Sequence, residues 1–299
     1  MSFNKRLGHF YNAVNNHPLA SKYKLKAYFN FLKWQLSQTV KPGVKKISFV
    51  GNTSLMVKKG MTGATGNIYF GLHEFEEMSF LLHFLNAADT FYDVGANIGS
   101  YTILAAGVCG AKVCSFEPVP NTFHFLKENV SVNKLNESVT PYMVAVGAAK
   151  GHIKITDTFD TVNHVVEDNK VGQHTSIDVP VISLDDVTTN DYPALIKIDV
   201  EGYETEVLNG MSALLKEPTL KAIIIELNGS GNRYGYDENL IHEKLLDHDF
   251  LPYTYNGFER KLILLDHHSN CNTIYIRDME NVKQRLKISP AIKIFNELI

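Results

Sequence analysis

TFYDVGANIGSYTILAAGVCGAKVCSFEP, residues 90–118, reads as strand, glycine turn, helix, strand. TFYDVGA is an apolar strand that runs into a turn, SYTILAAGV the helix behind it, and KVCSFEP a second strand. A strand, a crossover helix and a second strand in so short a span make a βαβ unit, and βαβ units build parallel sheets. The pattern continues outward. PNTFHFLKENVSVN (120–133) predicts a second helix with Asn121 as its cap, and VTPYMVAVG (139–147) a third strand. Residues 151–186 interrupt the alternation with strand-like pieces, HIKIT, HVVED and SIDVPVISL. It resumes with ALIKIDV (194–200), a helix over 204–215, LKAIIIELN (220–228), a helix near 239–247, and two further strands, LPYTYN and NTIYIR. LIKIDV and IIIEL carry apolar residues on both faces, as strands covered on both sides of a sheet do. The expected fold is therefore α/β, a mostly parallel Rossmann-like sheet with helices on both faces.

Ahead of that unit, Leu25, Tyr28, Phe29, Leu32 and Leu36 recur at three- and four-residue steps and predict a helix, which Pro42-Gly43 ends. Trp34, Tyr28, Phe29 and Phe31 are expected to pack that helix on the core. Residues 44–71 read as short strands broken by glycine, and Glu74–Leu85 as an amphipathic helix. Two regions result: an extension over 1–72, suited to capping a site or to substrate or oligomer contacts, and a main domain over 73–299 with inserted strands near 151–186.

The 299 residues are 44% hydrophobic and 20% charged, which excludes a disordered chain or a coiled coil. A formal charge of −3 provides no strong field for nucleic acid. Three cysteines without a C-x-x-C spacing argue against a disulfide framework or a structural zinc site. No run approaches the roughly 20 apolar residues that span a bilayer, and residues 1–17 lack the apolar segment of a signal peptide. The expectation is a cytoplasmic protein with no membrane span, no nucleic-acid partner and scope for a homo-oligomer.

In open α/β sheets ligands bind outside the carboxyl ends of the strands, and here those ends are acidic. Asp93 and Gly95 close the first strand, Glu117 the second, Asp199 and Glu201 the fourth, Glu226 and Asn228 the fifth. Buried carboxylates are costly without partners, so their convergence on one rim calls for a ligand. Gly95 and Gly99 permit a tight turn and close approach to the backbone. A dinucleotide fingerprint requires G-x-G-x-x-G, and Asn97 occupies the place of its second glycine. A nucleoside ligand without a diphosphate fits better. Glu117 follows Gly95 by 22 residues, the spacing of a carboxylate that accepts from both ribose hydroxyls.

DVGANIGSYT, FEPVPNTF, VPVISLDDV and LIKIDVEGYETEVLNGM together resemble the FkbM-type S-adenosylmethionine-dependent methyltransferases over about residues 67–228, with KIDVEGYE the most specific part. GNIYFGLHEFEEM resembles what precedes the core in that family. The resemblance implies that Asp93, Gly95, Asn97 and Gly99 hold the methionine part of the cofactor and Glu117 the ribose, with Pro118 and Asn121 beside it. It places Asp199 and Glu201 beside the transferred methyl. Glu226 is a further catalytic candidate, and Glu74, with His73, a residue that closes over the cofactor. The acceptor expected is a hydroxyl on a sugar, glycan or secondary metabolite. A divalent metal on Asp199, Glu226 and Asn228 remains open, as do a non-catalytic cofactor-binding or scaffolding module and a nicotinamide-dependent oxidoreductase. A sulfonium ligand suits a carboxylate rim electrostatically.

His164, in the insertion, is a candidate substrate-facing base, whereas His267-His268 lacks metal-site spacing. Glu201 has a second reading as a cap for the following helix. Lys5-Arg6 and Lys45-Lys46 are expected to be solvated surface pairs.

Overall fold

A computed structural model describes residues 3–156, 164–166, 175–187 and 191–299. Three helices open the chain: α1 (Phe3–Asn16), α2 (Pro18–Lys22) and α3 (Lys24–Val40). A hairpin of β1 (Lys45–Ser48) and β2 (Ser54–Val57) leads to α4 (Thr62–Phe70) and α5 (Phe75–Phe84). The alternating region follows as β3 (Thr90–Val94), α6 (Ser100–Gly107), β4 (Lys112–Phe116), α7 (Pro120–Val132) and β5 (Val139–Tyr142). Next come β6 (Ala145–Val146), β7 (Gly151–Thr156) and β8 (Ser176–Ile182), then β9 (Leu195–Ile198), α8 (Glu204–Asn209), β10 (Ala222–Glu226) and α9 (Glu238–Leu246). The chain closes with β11 (Leu251–Asn256), β12 (Lys261–Leu264), β13 (Asn272–Ile276), α10 (Met279–Ile288) and a short β14–β15 hairpin (Lys293–Ile294, Glu297–Leu298).

The main sheet has eight strands in the order β12-β11-β13-β10-β9-β3-β4-β5. Strands β5, β4, β3, β9 and β10 are mutually parallel, and β13 lies antiparallel between β10 and β11. The apolar strands β3, β9 and β10 fill the centre, with every residue of β3 and β9 buried. The class is the one the sequence implies. Strand order reverses between β3 and β9, so the crevice at the switch point opens at their carboxyl ends, where ligands bind in such sheets. The insertion forms its own three-stranded sheet, β6-β8-β7. Of HVVED, only His164–Val166 is described, with Val165 bridging Ile155. The rest of that stretch, and the Lys5-Arg6 side chains, lie outside the described residues.

Four local readings are corrected. Residues 62–70 are helix, not strand. Gly63 and Gly66 disguise it, but a Cβ at Gly66 would come within 2.3 Å of the His73 ring, so close packing requires glycine there. The helix from Glu204 ends at Asn209 instead of Leu215, and a turn and a short 3-10 helix (Leu214–Lys216) follow it. Asn121 does not cap α7: Val119 occupies that position and Pro120 starts the helix, leaving Asn121 exposed. Finally, Phe29 does not pack on the core: α3 buries Ala27, Trp34 and Gln38, and Phe29 faces outward with Leu25, Leu32 and Leu36. Tyr28 and Phe31 do pack on the core, and Phe10 stacks on Phe31 with centroids 4.2 Å apart.

That orientation predicts opposite outcomes for two α3 substitutions. Trp34→Ala should cost about 3–5 kcal/mol, whereas Leu32→Ser should change stability by less than about 0.5 kcal/mol. Equilibrium urea unfolding of the two variants measures both, and equal losses would contradict the burial of Trp34's face.

Candidate active site

The loop after β3 is pinned from two sides. Gly95 and Ala96 donate their N–H groups to the Phe116 carbonyl, both at 3.0 Å. Gly95 adopts φ +80°, and a Cβ there would lie 1.8 Å from the Asp199 carbonyl oxygen. Only glycine allows β3 and β9 to bring their ends this close. Gly99, at φ +90°, opens α6.

Glu117 ends β4 with both oxygens engaged. Its Oε2 accepts from the Asn97 N–H at 3.0 Å and its Oε1 from Val119 at 2.9 Å. Each carboxylate oxygen retains a second lone pair for a ligand hydroxyl. Burial pushes this carboxyl up to about 7, with the backbone donors opposing and Asp93 and Asp199 adding repulsion. Asp93 is deeper: its Oδ2 takes the Thr102 N–H (3.0 Å) and hydroxyl (2.6 Å), fastening β3 to α6. Burial raises it to about 6, against the nearby Lys197 ammonium.

On the other side of the crevice, β9 carries Lys197, almost fully buried, with its Nζ 2.6 Å from Asp199 Oδ2. Burial alone would lower its affinity for a proton. Asp199, Glu74 and Asp93 outweigh that and hold it charged, well above the usual lysine range. The same ammonium lies 4.8 Å from the centroid of Tyr101, whose hydroxyl donates to Glu74 at 2.5 Å. Neither Lys197 nor Tyr101 emerged from the sequence reading. The signal for the first was present, a single charge in the otherwise apolar strand LIKI.

Glu201 stands at φ +56° in the turn after β9. It does not cap α8, whose N-cap position is Tyr203; Glu204 ties the turn ahead of the helix, its Oε1 accepting from Val200 and Gly202 at 3.1 and 3.2 Å. Glu201 is thus left free for the crevice. One oxygen each of Asp199, Glu201 and Glu226 lies within 4.8 Å of the others, all half-buried. Burial, then repulsion from Asp199, pushes Glu201 up to about 7 and Glu226 to about 8. Asn228 stays apart, exposed, its amide oxygen accepting from the Ser230 N–H at 2.9 Å.

These groups line one cavity of about 270 Å³. Glu74, Asp93, Gly95, Asn97, Glu117, Pro118, Asp199, Glu201 and Glu226 all reach it, as do His73, His164 and Lys197. Gly99 and Asn121, two of the expected contacts, do not belong to its wall, nor does Asn228. The inserted sheet contributes Ile153 and Ile155, and α4 contributes Thr62, Gly63 and Ala64.

With the carboxylate crevice at the switch point established, comparison with known proteins becomes decisive: the profile described as the methyltransferase FkbM domain matches residues 93–252. The chain belongs to the FkbM methyltransferase family. The hexuronic acid methyltransferase AglP of Haloferax volcanii is 32% identical across 47% of this chain and 56% of its own length. The methyltransferase sdnD of Sordaria araneosa is 27% identical across 40% of this chain and 59% of its own. The FkbM-family chain thus spans somewhat over half the length of these curated relatives. A solved FkbM methyltransferase from Methylobacillus flagellatus KT superposes with a TM-score of 0.44 at 17% identity, covering 72% of this chain and 55% of that one.

The carboxyls predict a pH dependence of stability. Glu117, Glu201 and Glu204 at about 7 and Glu226 at about 8 hold protons more tightly folded than unfolded, where the value is 4.5. Their contribution is complete below pH 4.5 and is lost as pH rises through the folded values. His17 and His83, lowered by burial to about 4, act in the opposite sense below pH 6.5. The melting temperature of the ligand-free protein should therefore fall between pH 6.5 and 8.5, and Glu226→Gln should flatten that fall. A melting temperature that rises over this interval would contradict the assigned carboxyls.

Proposed function

We propose that the chain is an S-adenosylmethionine-dependent O-methyltransferase acting on a hydroxyl of a sugar, glycan or secondary metabolite. The observation that carries this reading is the excess of carboxylates around one ammonium. Asp93, Asp199, Glu201 and Glu226 face Lys197, with the Arg233 guanidinium as a further cation near Glu201, and burial and mutual repulsion still raise Asp93, Glu201 and Glu226 above their ordinary range. Such a crevice lacks a cation, and a ligand bearing sulfonium and ammonium groups supplies one. The donor set fits the rest of that ligand too. Glu117 retains lone pairs for two ribose hydroxyls, and the Gly95 turn leaves backbone open to close approach. AglP, by its name a hexuronic acid methyltransferase, supports an acceptor of the sugar-acid class.

When bound, S-adenosylmethionine supplies an electrophilic methyl group. The chain's own residues must then align the acceptor, exclude water and take its proton. Glu226 suits the role of proton acceptor, because it closes β10 at the crevice and a neighbouring cation would bring its proton affinity down from about 8 toward neutrality. A carboxylate near the working pH is the most effective base. Asp199, fixed by Lys197, orients charge beside it. The extension over 1–72 and the inserted strands supply the acceptor side, through Thr62, Gly63, Ala64, Ile153, Ile155 and His164. Asp199, Glu201 and Glu226 also offer the hard oxygens that magnesium takes, so magnesium forms one arm of the test.

Calorimetric titration should give micromolar binding of S-adenosylhomocysteine, with or without magnesium, and no binding of NADH. The reverse pattern would overturn the assignment in favour of an oxidoreductase. Glu117→Ala should weaken that binding by about 1.5–3 kcal/mol, the range of hydrogen bonds to a charged group. With uronic acids and glycans as acceptors and labelled donor, Glu226→Gln should reduce turnover roughly 10²–10⁴-fold. Its affinity for S-adenosylhomocysteine should change little. Tight binding without transfer to any acceptor would instead indicate a cofactor-binding module.

A further inference from the structure

The outward stripe of α3 is the largest feature that the crevice does not use. Leu25, Phe29, Leu32, Leu36 and Val40 are 88, 63, 63, 65 and 76% exposed, at steps that keep them on one side of the helix. Apolar side chains contiguous over four turns mark an interaction surface rather than scattered exposure.

The charge around it identifies the partner. Residues 1–73 contain eleven of the 29 lysines and arginines and none of the 32 acidic residues. The remainder carries eighteen cations against 32 anions, a balance of −14, so the overall −3 conceals two oppositely charged regions. Among the described residues, only Lys22 of the N-terminal lysines has a carboxylate within reach, Glu297 at 3.6 Å. Beside the stripe, a groove of about 730 Å³ runs along α3. Lys33, Lys45, Lys46 and Lys293 line it with Trp34 and Phe295, and among the described residues no carboxylate does.

We propose that this face docks on an anionic phospholipid membrane. Helix α3 lies in the surface with its apolar stripe among the upper acyl chains, and the flanking lysines meet the headgroup phosphates. An amphipathic helix with Lys on its polar flank and Leu and Phe opposite is the form that lies on bilayers, and anionic headgroups attract such lysines. At 17 residues and with its other face packed on the core, α3 lies on the bilayer instead of crossing it. Two copies apposed on this stripe would bring two acid-free, cationic regions together, which disfavours a second chain as occupant. A polyanion such as nucleic acid would meet the lysines but has no use for five exposed aliphatic and aromatic side chains.

The test is co-sedimentation of the full chain with phosphatidylcholine vesicles, with and without phosphatidylglycerol. Binding should require phosphatidylglycerol and weaken as salt rises. The fourfold variant Leu25→Ser, Phe29→Ser, Leu32→Ser, Leu36→Ser should lose roughly tenfold or more in affinity. Because those positions are exposed, its melting temperature should match the parent. The independent variant Lys33→Glu, Lys45→Glu, Lys46→Glu should lose binding to a similar degree. Failure of the parent to bind phosphatidylglycerol vesicles overturns the proposal, as does equal binding to phosphatidylcholine alone. So does a dimer, seen by sedimentation velocity, that the serine variant dissolves. Oligonucleotide binding that the serine variant leaves intact, without vesicle binding, would assign the face to nucleic acid and likewise overturn it.

Discussion

One buried ion pair, Lys197 Nζ against Asp199 Oδ2 at 2.6 Å, makes the crevice possible. Strand ends that converge at a switch point bring their carboxylates together, and in a medium of low dielectric those charges repel strongly. Among the described residues Lys197 is the one ammonium that reaches the cavity wall, attracted by Asp199, Glu74 and Asp93. Without it, Asp199 would lose its ion-pair partner and Asp93 would keep only its Thr102 hydrogen bonds, which leaves buried charge uncompensated. The ammonium is nevertheless insufficient for the whole rim. Glu201 and Glu226 hold their protons near or above neutral pH, so the folded protein is poised to gain from one further positive charge.

The backbone is shaped around the same point. Gly95 must lack a side chain because the Asp199 carbonyl occupies the space of its Cβ. Gly202 must lack one because the Ser230 carbonyl lies 2.6 Å from where a Cβ would be. Glu204 ties the intervening turn by accepting two of its N–H groups, and Glu201 is held at positive φ with its side chain available. Close approach of three strand ends thus determines the glycines, and the glycines in turn fix where the acids stand.

This explains which parts of the molecule could be read directly from residues. The parallel core was legible because strands buried on both faces have few options in composition, as LIKI and AIII illustrate. Glu117 was legible because strand length and helix length fix its distance from Gly95. Helix α4 was not, since its glycines answer to the His73 ring, a contact that no local pattern records. Of the aromatics expected to pack α3 on the core, Trp34, Tyr28 and Phe31 do so and Phe29 does not. Periodicity reveals that a helix has an apolar face, and cannot reveal whether the core meets that face or the opposite one carrying Ala27, Trp34 and Gln38. Gly99 and Asn121 enter through the resemblance carried by DVGANIGSYT and FEPVPNTF, yet neither reaches the cavity wall.

The two charged regions meet at α4. Its first turn, Thr62, Gly63 and Ala64, walls the carboxylate crevice, while Asn67 and Ile68, one turn on, wall the lysine-lined groove. Asn67 also connects the two sides directly, donating to Ser100 at the start of α6 (3.1 Å) and accepting from the His73 N–H (2.8 Å). Charges of opposite sign this close would neutralise each other if nothing intervened. Beyond about 8 Å in physiological salt they are largely screened, and the apolar body of α4 keeps them on separate surfaces. A membrane bound at the cationic face would therefore leave the field of the acidic crevice intact. It would also present an acceptor held at that membrane one helix away from the residues proposed to act on it. The acid-free composition of the N-terminal region follows from that arrangement, because a carboxylate there would weaken the attraction to anionic headgroups.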